Sequence, residues 1–131
     1  MFSVYKIAAL LSSAVLLTPS PALAELVLVS RSDDGVVKVF VDTDSITRSG
    51  QDVSFLEIKK LSVPNDMGAS VTLSRSTVNC ASGKRYIHRL SGMTHLGKVV
   101  YDEEFDAVKE PTPLLPGTVG GSLYEFVCYE Y

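Results

Sequence analysis

This chain of 131 residues has no tryptophan, and it has only two cysteines and two histidines. It lacks an excess of basic residues, with 12 Lys and Arg against 15 Asp and Glu, which argues against a protein that binds nucleic acid. It also lacks the apolar run of about 20 residues that spans a bilayer and the G-x-S-x-G motif of serine hydrolases. These absences disfavour membrane-spanning and hydrolytic proteins.

The first 24 residues have the pattern of a secretory signal peptide. A weakly basic start leads into an apolar run of 11 residues at 7–17, and Ala22 and Ala24 give the small-x-small pattern that signal peptidase cuts. The alternative is a buried N-terminal helix. Cleavage predicts one mature domain over residues 25–131, with a net charge of −4, in the periplasm or outside the cell. No cysteine stands directly after the apolar run, at the predicted cleavage site, so we expect a released protein rather than a lipid-anchored one.

Both cysteines, Cys80 and Cys128, belong to the predicted mature domain. An exported chain meets an oxidising compartment, and two cysteines allow one intrachain pairing. Two free thiols and a redox pair are the alternatives, although redox pairs are usually as close as C-x-x-C. A structural disulfide is the favoured interpretation, and closing about 49 residues would stabilise the fold by roughly 4 kcal/mol in the chain-entropy model.

Short β-rich segments separated by turn residues occupy most of the mature domain. The predicted strands are 25–30, 36–41, 53–63, 70–80, 84–95 and 96–105. The polar segment 42–52 is predicted to connect the second and third strands, and Gly92 predicts a bulge or bend in the fifth. Three prolines within 110–117 predict irregular chain.

The C-terminal segment changes character. Leu123, Phe126 and Val127 recur at helical spacing, so one apolar face could cover the sheet. Thr118 is a plausible N-cap for this helix, although Gly121 occupies the capping-box position where a glutamate would help. A strand is the alternative, because the segment is rich in aromatic residues. The favoured interpretation is a helix.

The stretch VDTDSITRSG, residues 41–50, suggests a cation-binding loop because two aspartates stand one residue apart. An EF-hand loop beginning at the first of them needs particular residues at its fifth, sixth and twelfth positions. Those positions hold Ile46, Thr47 and Val53, and none of them fits. Asp42 and Asp44 are therefore predicted to stabilise a turn through nearby backbone amides, with Ile46 anchored in the core.

Two other motifs also fail as sites of chemistry. Gly92, Gly97 and Lys98 match part of a phosphate-binding loop, but Val99 stands where Ser or Thr must hold magnesium, and a strand follows instead of a helix. The two histidines lack a clear third metal ligand, and neither is paired with a nucleophilic cysteine. The sequence therefore predicts no catalytic residues, no metal site and no cofactor.

One charged cluster remains as a candidate for binding. Lys84, Arg85 and Arg89, with Arg75 expected on the neighbouring strand, form a basic patch opposite the acidic segment 102–106. One interpretation is a solvated sheet edge whose charges discourage aggregation. The other is a surface that binds a protein partner, steered by complementary charge.

Three segments together resemble the surface-adhesin protein E-like family. They are VFVDTDSITRSGQDVSFLEIKK, SRSTVNC and LPGTVGGSLYEFVC, which occur in the order in which the family has them. The family often has a tryptophan on the strand after the glycine turn, where Phe55 stands in this sequence. The resemblance implies an α+β fold: an antiparallel sheet of about six strands, with a C-terminal helix tied to it by a Cys80–Cys128 disulfide.

The resemblance also implies a function. Its best-known member binds the host proteins vitronectin and laminin and can form dimers. We therefore expect no enzyme but an exported domain that binds a host matrix or envelope protein through Lys84, Arg85 and Arg89, and that allows a homodimer. The alternative is a structural or accessory subunit of a cell-envelope assembly, joined through an exposed edge strand.

Overall fold

The computed structural model describes residues 25–105, 112–113 and 117–131, and the predicted signal peptide, residues 1–24, lies outside them. Consecutive strands pair in an antiparallel sheet in the order of the chain. The strands are β1 (Leu26–Arg31), β2 (Val37–Ser49), β3 (Asp52–Leu61), β4 (Val71–Asn79), β5 (Lys84–Met93) and β6 (Val99–Glu104). The predicted sheet of about six strands is confirmed. No helix within the described ranges is long and apolar enough to cross a membrane.

One face of the sheet carries the core. Side chains alternate between the two faces of a strand, so β3 directs Val53, Phe55 and Glu57 to one side and Leu56 and Ile58 to the other. The first side packs against the C-terminal helix, and we call it the helix face; the second is the open face. The buried core of the helix face consists of Val39, Val41, Val53, Phe55 and Val78 from the sheet with Leu123 and Val127 from the helix.

The predicted C-terminal helix is confirmed. Helix α1 spans Val119–Glu125 and continues as a π-helical segment, Phe126–Glu130. The side chain of Thr118 accepts a hydrogen bond from the backbone N–H of Gly121 at 3.0 Å, so Thr118 is the N-cap, as its position in the sequence predicts.

The prediction of a long polar connection at 42–52 is wrong. Strand β2 continues to Ser49, and its pairing with β3 is interrupted only between Asp42 and Thr47. The reason is local: the Asp42 carboxylate accepts a hydrogen bond from the N–H of Asp44 at 3.0 Å, which stabilises a bulge without ending the strand. Ile46 packs against the core, as predicted. A turn-like sequence therefore forms a bulge inside a strand.

The continuation of β2 has a structural consequence at the far end of the helix. Arg48 lies on this continuation and donates hydrogen bonds to the backbone oxygens of Val127 and Tyr131, both at 2.6 Å. The last carbonyls of a helix have no partner within it, and a cation near them is stabilising. Arg48 therefore holds the end of the C-terminal segment to the sheet.

The proline-rich segment also contains a short strand, which the sequence did not predict. Strand β7 (Thr112–Pro113) pairs with the beginning of β5, at Lys84 and Arg85. Proline is tolerated here because, among the strands that the structure describes, β7 pairs only with β5 and so forms an edge.

The disulfide joins the end of β4 to the C-terminal segment. Cys80 and Cys128 are bonded, with Cα atoms 5.8 Å apart, and the hydroxyl of Tyr124 donates to the carbonyl of Cys80 at 2.8 Å. The predicted bridge is confirmed. It fixes α1 over the core from its C-terminal side, whereas Thr118 fixes where the helix begins.

Three loops lie together at the opposite end of the sheet. Ser62 donates its N–H to the Val36 carbonyl, and Ser70 donates to the Met93 carbonyl, both at 2.9 Å.

The predicted irregularity at Gly92 is confirmed, since the pairing of β5 with β6 shifts there. A Cβ atom at Gly92 would overlap the ring of Tyr101, whose hydroxyl meets the side chain of Asn65 at 3.2 Å.

We predict that replacing both cysteines, Cys80→Ser with Cys128→Ser, lowers the free energy of unfolding by about 4 kcal/mol. The sequence separation of 48 residues sets this value in the chain-entropy model. Urea unfolding of the oxidised, reduced and doubly substituted chains measures it. Equal midpoints for the oxidised and doubly substituted chains would contradict the prediction.

We predict that Gly92→Ala destabilises the fold by about 1–3 kcal/mol, because the added methyl group forces the Tyr101 ring out of its place. Thermal unfolding measures the loss. Ser91→Ala, one residue away on the other face, is the matched control and should cost much less. Adding Tyr101→Ser to Gly92→Ala should recover part of the loss if the overlap is its cause.

Candidate functional site

The residues of the predicted basic patch do not share one surface. Arg85 points to the helix face and is largely buried, whereas Lys84 and Arg89 belong to the open face. Arg75 is paired directly with Arg89 across β4 and β5, so the expectation that it lies on the neighbouring strand is confirmed. A bulge on β5 separates the two faces of this cluster, since the pairing shifts between Arg75 and Ser76.

Arg85 forms a buried ion pair with Glu57. Its guanidinium donates to a Glu57 carboxylate oxygen at 2.6 Å, and only 11% of the Arg85 side chain and 1% of the Glu57 side chain are exposed. The hydroxyls of Ser74 and Ser76 accept further hydrogen bonds from Arg85. Lys59 approaches the other Glu57 oxygen at 3.5 Å. This network is satisfied within the protein, so Arg85 has a structural partner already.

Arg89 is paired on the surface. It donates to both carboxylate oxygens of Asp102, at 3.0 and 2.7 Å, and lies 3.5 Å from a Glu104 oxygen. The hydrogen bond from Arg89 holds the pKa of the Asp102 carboxyl below its usual range. The contribution of this pair is therefore present at neutral pH and is lost as the pH falls through that lowered pKa. Both groups are solvated, so the pair is weak.

Arg75 has neither an ion pair nor a hydrogen bond within the described part of the chain. It lies on the open face beside a shallow cavity of about 270 Å³. The cavity is lined by Leu56, Leu73, Arg75, Arg89 and Ser91. An apolar floor flanked by one unpaired guanidinium suits a group that presents an apolar surface and a negative charge together.

An apolar row crosses the open face. The register pairs Leu28 with Phe40, Phe40 with Ile58, and Ile58 with Leu73, so the row spans four strands. The ammonium of Lys60 lies 5.1 Å from the centre of the Phe40 ring, a cation–π contact. A strand face turned toward water is normally polar. A row of apolar residues is therefore unexpected on this face.

On the open face, His88 belongs to a chain of side-chain hydrogen bonds with Thr77 and Ser54. Its Nε2 atom lies 2.7 Å from the Thr77 hydroxyl, which in turn lies 2.7 Å from the Ser54 hydroxyl. Catalysis by such a relay needs a third group that orients the imidazole and donors that stabilise an oxyanion. In residues 25–105, 112–113 and 117–131 no hydrogen bond is made to the other ring nitrogen of His88, so this third group is not found among them. The three side chains link the neighbouring strands β3, β4 and β5.

Across the ranges that the structure describes, no three His, Cys, Asp or Glu side chains come close enough together to hold a metal ion. Asp42 uses its carboxylate in the bulge of β2, and His95 lies in the β5–β6 loop, away from His88 on β5.

Sequence reasoning missed the partner of Arg85 and the apolar row. Glu57 follows Val53 and Phe55 at two-residue spacing, and this alternation was the signal that it points inward. The apolar row had a weaker signal: Phe40, Ile58 and Leu73 interrupt the polar positions of their strands, but only the register reveals that such residues form one surface.

A family model described as surface-adhesin protein E matches residues 26–129 of this chain. The fold is also similar to that of solved structures of Haemophilus influenzae protein E. Crystal form II of that protein has a TM-score of 0.55 and 20% identity, over 90% of this chain and 98% of the other. Its selenomethionine form has a TM-score of 0.56 and 16% identity, over 88% and 95%. A comparison with curated proteins found no match.

We predict that Arg85→Met lowers the free energy of unfolding by about 3–5 kcal/mol, because it leaves the Glu57 carboxylate buried with only Lys59 nearby. Arg89→Met is the matched control. Arg89 lies four residues further along β5 on the solvated face, and its replacement should cost at most about 1 kcal/mol. Urea unfolding compares them. If the double variant Glu57→Gln with Arg85→Met costs as much as the two single losses added together, the coupling is absent and the prediction is wrong.

Proposed function

The chain belongs to the surface-adhesin protein E family, and on that basis we propose that it is an exported domain that binds a protein partner and catalyses no reaction. The partner is a host matrix protein or a protein of the cell envelope, and the domain works in the periplasm or after secretion. The single observation that carries the proposal is the open face, which the helix leaves uncovered although it is apolar along a whole row.

The apolar row supplies the contact area. Leu28 is exposed at one end of the row, and Leu26 is exposed beside it on the same strand. Phe40 and Leu73 are half-buried in the row and Ile58 is buried between them, so the exposed part of the row lies on β1 and is continuous with the half-buried Phe40. An exposed apolar patch of this kind supports a protein-binding site. Burial of such a row under a partner would supply the main free energy of binding, since apolar area removed from water contributes about 25 cal/mol per Å².

Charged residues at the border of the apolar row would orient the bound partner. Arg75 is available for an acidic group of the partner, and Arg89 is held in place by Asp102. Lys84 lies farther along the same face, at the beginning of β5. Such rim charges mainly affect the association rate and the choice of partner. Of the three residues in the basic patch, Lys84 and Arg89 remain candidate contacts, whereas Arg85 would contribute through the stability of the sheet.

The alternative role, an accessory subunit of an envelope assembly, is favoured by one observation on β1. This strand forms an edge of the sheet, and the stretch 26–30 contains no charged residue. An uncharged edge accepts an added strand from another chain, and a second copy could pair there to form a homodimer. The bulge between Leu28 and Ser30 limits such pairing to the first part of the strand.

Open-face variants test the proposal. The chain starting at Glu25 is immobilised, and the proteins that it retains from detergent-solubilised envelope and from host matrix extract are identified and quantified. Leu28→Glu with Arg75→Glu should reduce the amount of retained partner about tenfold or more. The first change places a charge in the apolar row, and the second reverses the charge at its border. Tyr129→Glu is the matched control, since Tyr129 is exposed on the C-terminal segment.

Two outcomes would contradict the proposal: equal retention by the open-face variant and the wild-type chain, or loss of retention in the control only. Lys84→Glu with Arg89→Glu tests the two remaining residues of the basic patch in the same assay. Cross-linking in intact cells separates the two roles, because an envelope partner supports the accessory role and a host protein supports the adhesin.

A further inference from the structure

We propose that the end of the sheet formed by the β1–β2, β3–β4 and β5–β6 loops is a docking surface for an anionic lipid bilayer. We call it the loop end, and it comprises residues 32–36, 62–70 and 94–98. This inference goes beyond the proposed protein binding and concerns a different surface. It rests on the positions of exposed apolar side chains, on unpaired cations, and on how the loops are joined.

The loop end is one continuous surface. An antiparallel meander brings alternate connections to the same end of the sheet, and backbone hydrogen bonds from Ser62 to Val36 and from Ser70 to Met93 join neighbouring loops. Asn65 also fixes its own loop, since its side chain accepts hydrogen bonds from the N–H groups of Met67 and Ala69 at 3.0 Å. The loops are therefore held in position before any ligand arrives.

Apolar side chains stand out from this surface. Leu96 is 84% exposed at the tip of the β5–β6 loop, and Val63 and Met67 are each 63% exposed in the β3–β4 loop. Val99 is exposed at the beginning of β6, next to the same loop. Turns are normally built of polar residues. Several exposed aliphatic side chains at turns on one end of a domain are suited to contact with an apolar phase.

Unpaired cations border these apolar tips. Arg31, Lys38 and Lys60 are direct neighbours across β1, β2 and β3 on the open face, at the end of the strands next to the loops. Like charges opposite each other in a sheet are unfavourable, and none of the three has an ion pair within the described ranges. An anionic surface beside these three cations would relieve this repulsion, and each cation near such a surface contributes about 1 kcal/mol.

Acidic residues limit this electrostatic contribution. Asp33, Asp34 and Asp66 lie in the same loops, and the Asp34 carboxylate is bonded to the Ser32 hydroxyl at 2.6 Å and to the N–H of Val36 at 3.0 Å. These hydrogen bonds also keep the pKa of Asp34 below its usual range. With four cations, including Lys98, against three carboxylates, insertion of the apolar tips must carry much of the binding.

A bilayer fits these features better than a protein partner does. Protein hot spots are mostly aromatic residues and arginines that fill shaped pockets, whereas Val63, Met67 and Leu96 are aliphatic and stand on separate turns. The interface of a bilayer accepts such side chains without a complementary pocket, while flanking cations remain among the headgroups. Docked in this way, the sheet would stand on the membrane with its open face directed sideways.

Vesicle binding tests the proposal. The chain starting at Glu25, which contains every described strand and the disulfide, is mixed with phosphatidylcholine vesicles that contain or lack phosphatidylglycerol, and the bound fraction is measured by sedimentation. We expect binding that increases with phosphatidylglycerol. Met67→Ser with Leu96→Ser should weaken it about tenfold or more, since two exposed apolar side chains are lost. The matched control, Leu26→Ser with Leu28→Ser, removes two exposed leucines from the open face and should bind like wild type.

The absence of tryptophan allows a direct measurement of insertion. Leu96→Trp and Tyr129→Trp each place a single tryptophan, at the loop end and at the opposite end of the domain. The emission of the first should shift to shorter wavelength when anionic vesicles are added, and that of the second should not. Folding of every variant is checked by its unfolding midpoint, so a misfolded variant is not scored as a loss of binding.

The following results would overturn the proposal: no binding to anionic vesicles, equal binding by the serine variant of the loop end, or a blue shift at position 129 in place of position 96. Retention by an acidic protein through Met67 and Leu96, without vesicle binding, would assign the loop end to a protein and also overturn it. Loss of protein partners in the open-face variant with unchanged vesicle binding separates the two proposals.

Discussion

The burial of one short helix against one face of a wide sheet is the constraint on which the rest of this structure depends. Leu123 and Val127 supply the fully buried side chains of the C-terminal segment, and each contributes about 1.5–3 kcal/mol. A helix of seven residues does not form by itself in water. Its two ends must therefore be held, and the structure does so with the Thr118 cap at the beginning and with the disulfide and Arg48 at the end.

Because the helix is short, it does not cover the whole helix face with apolar side chains. On the helix face, part of β3 to β5 is occupied by the Glu57–Arg85 pair and two serine hydroxyls instead of aliphatic side chains. Replacing a buried pair with well-packed apolar groups is often neutral or stabilising, whereas removing one partner is costly. The pair therefore adds little net stability but makes each partner necessary to the other, which links β3 to β5 across the intervening β4.

Much of this fold follows from local sequence signals, and the failures have a common physical cause. β-Rich segments between turn residues indicated the strands, helical spacing indicated α1, and two cysteines in a chain predicted to be exported indicated the disulfide. The Asp42 segment was misassigned because a bulge and a turn use the same hydrogen bond between an Asp side chain and a nearby N–H. Arg85 was placed on a surface because its partner, Glu57, is 28 residues away along the chain. Local patterns do not give the register that brings such residues together.

The two candidate surfaces follow from the same architecture and differ in what they can bind. An open face is broad and its side chains stand side by side, so it can present the exposed Leu26 and Leu28 with the half-buried Phe40 to another folded surface. A loop end is narrow and convex, and separate turns such as those of Met67 and Leu96 can enter a fluid interface but cannot form a pocket. Because the disulfide and the end of the C-terminal segment lie at the opposite end of the sheet, contact through the loops would leave the open face free. If both proposals hold, a membrane surface and a partner would be bound at the same time, and each contact would raise the effective concentration for the other.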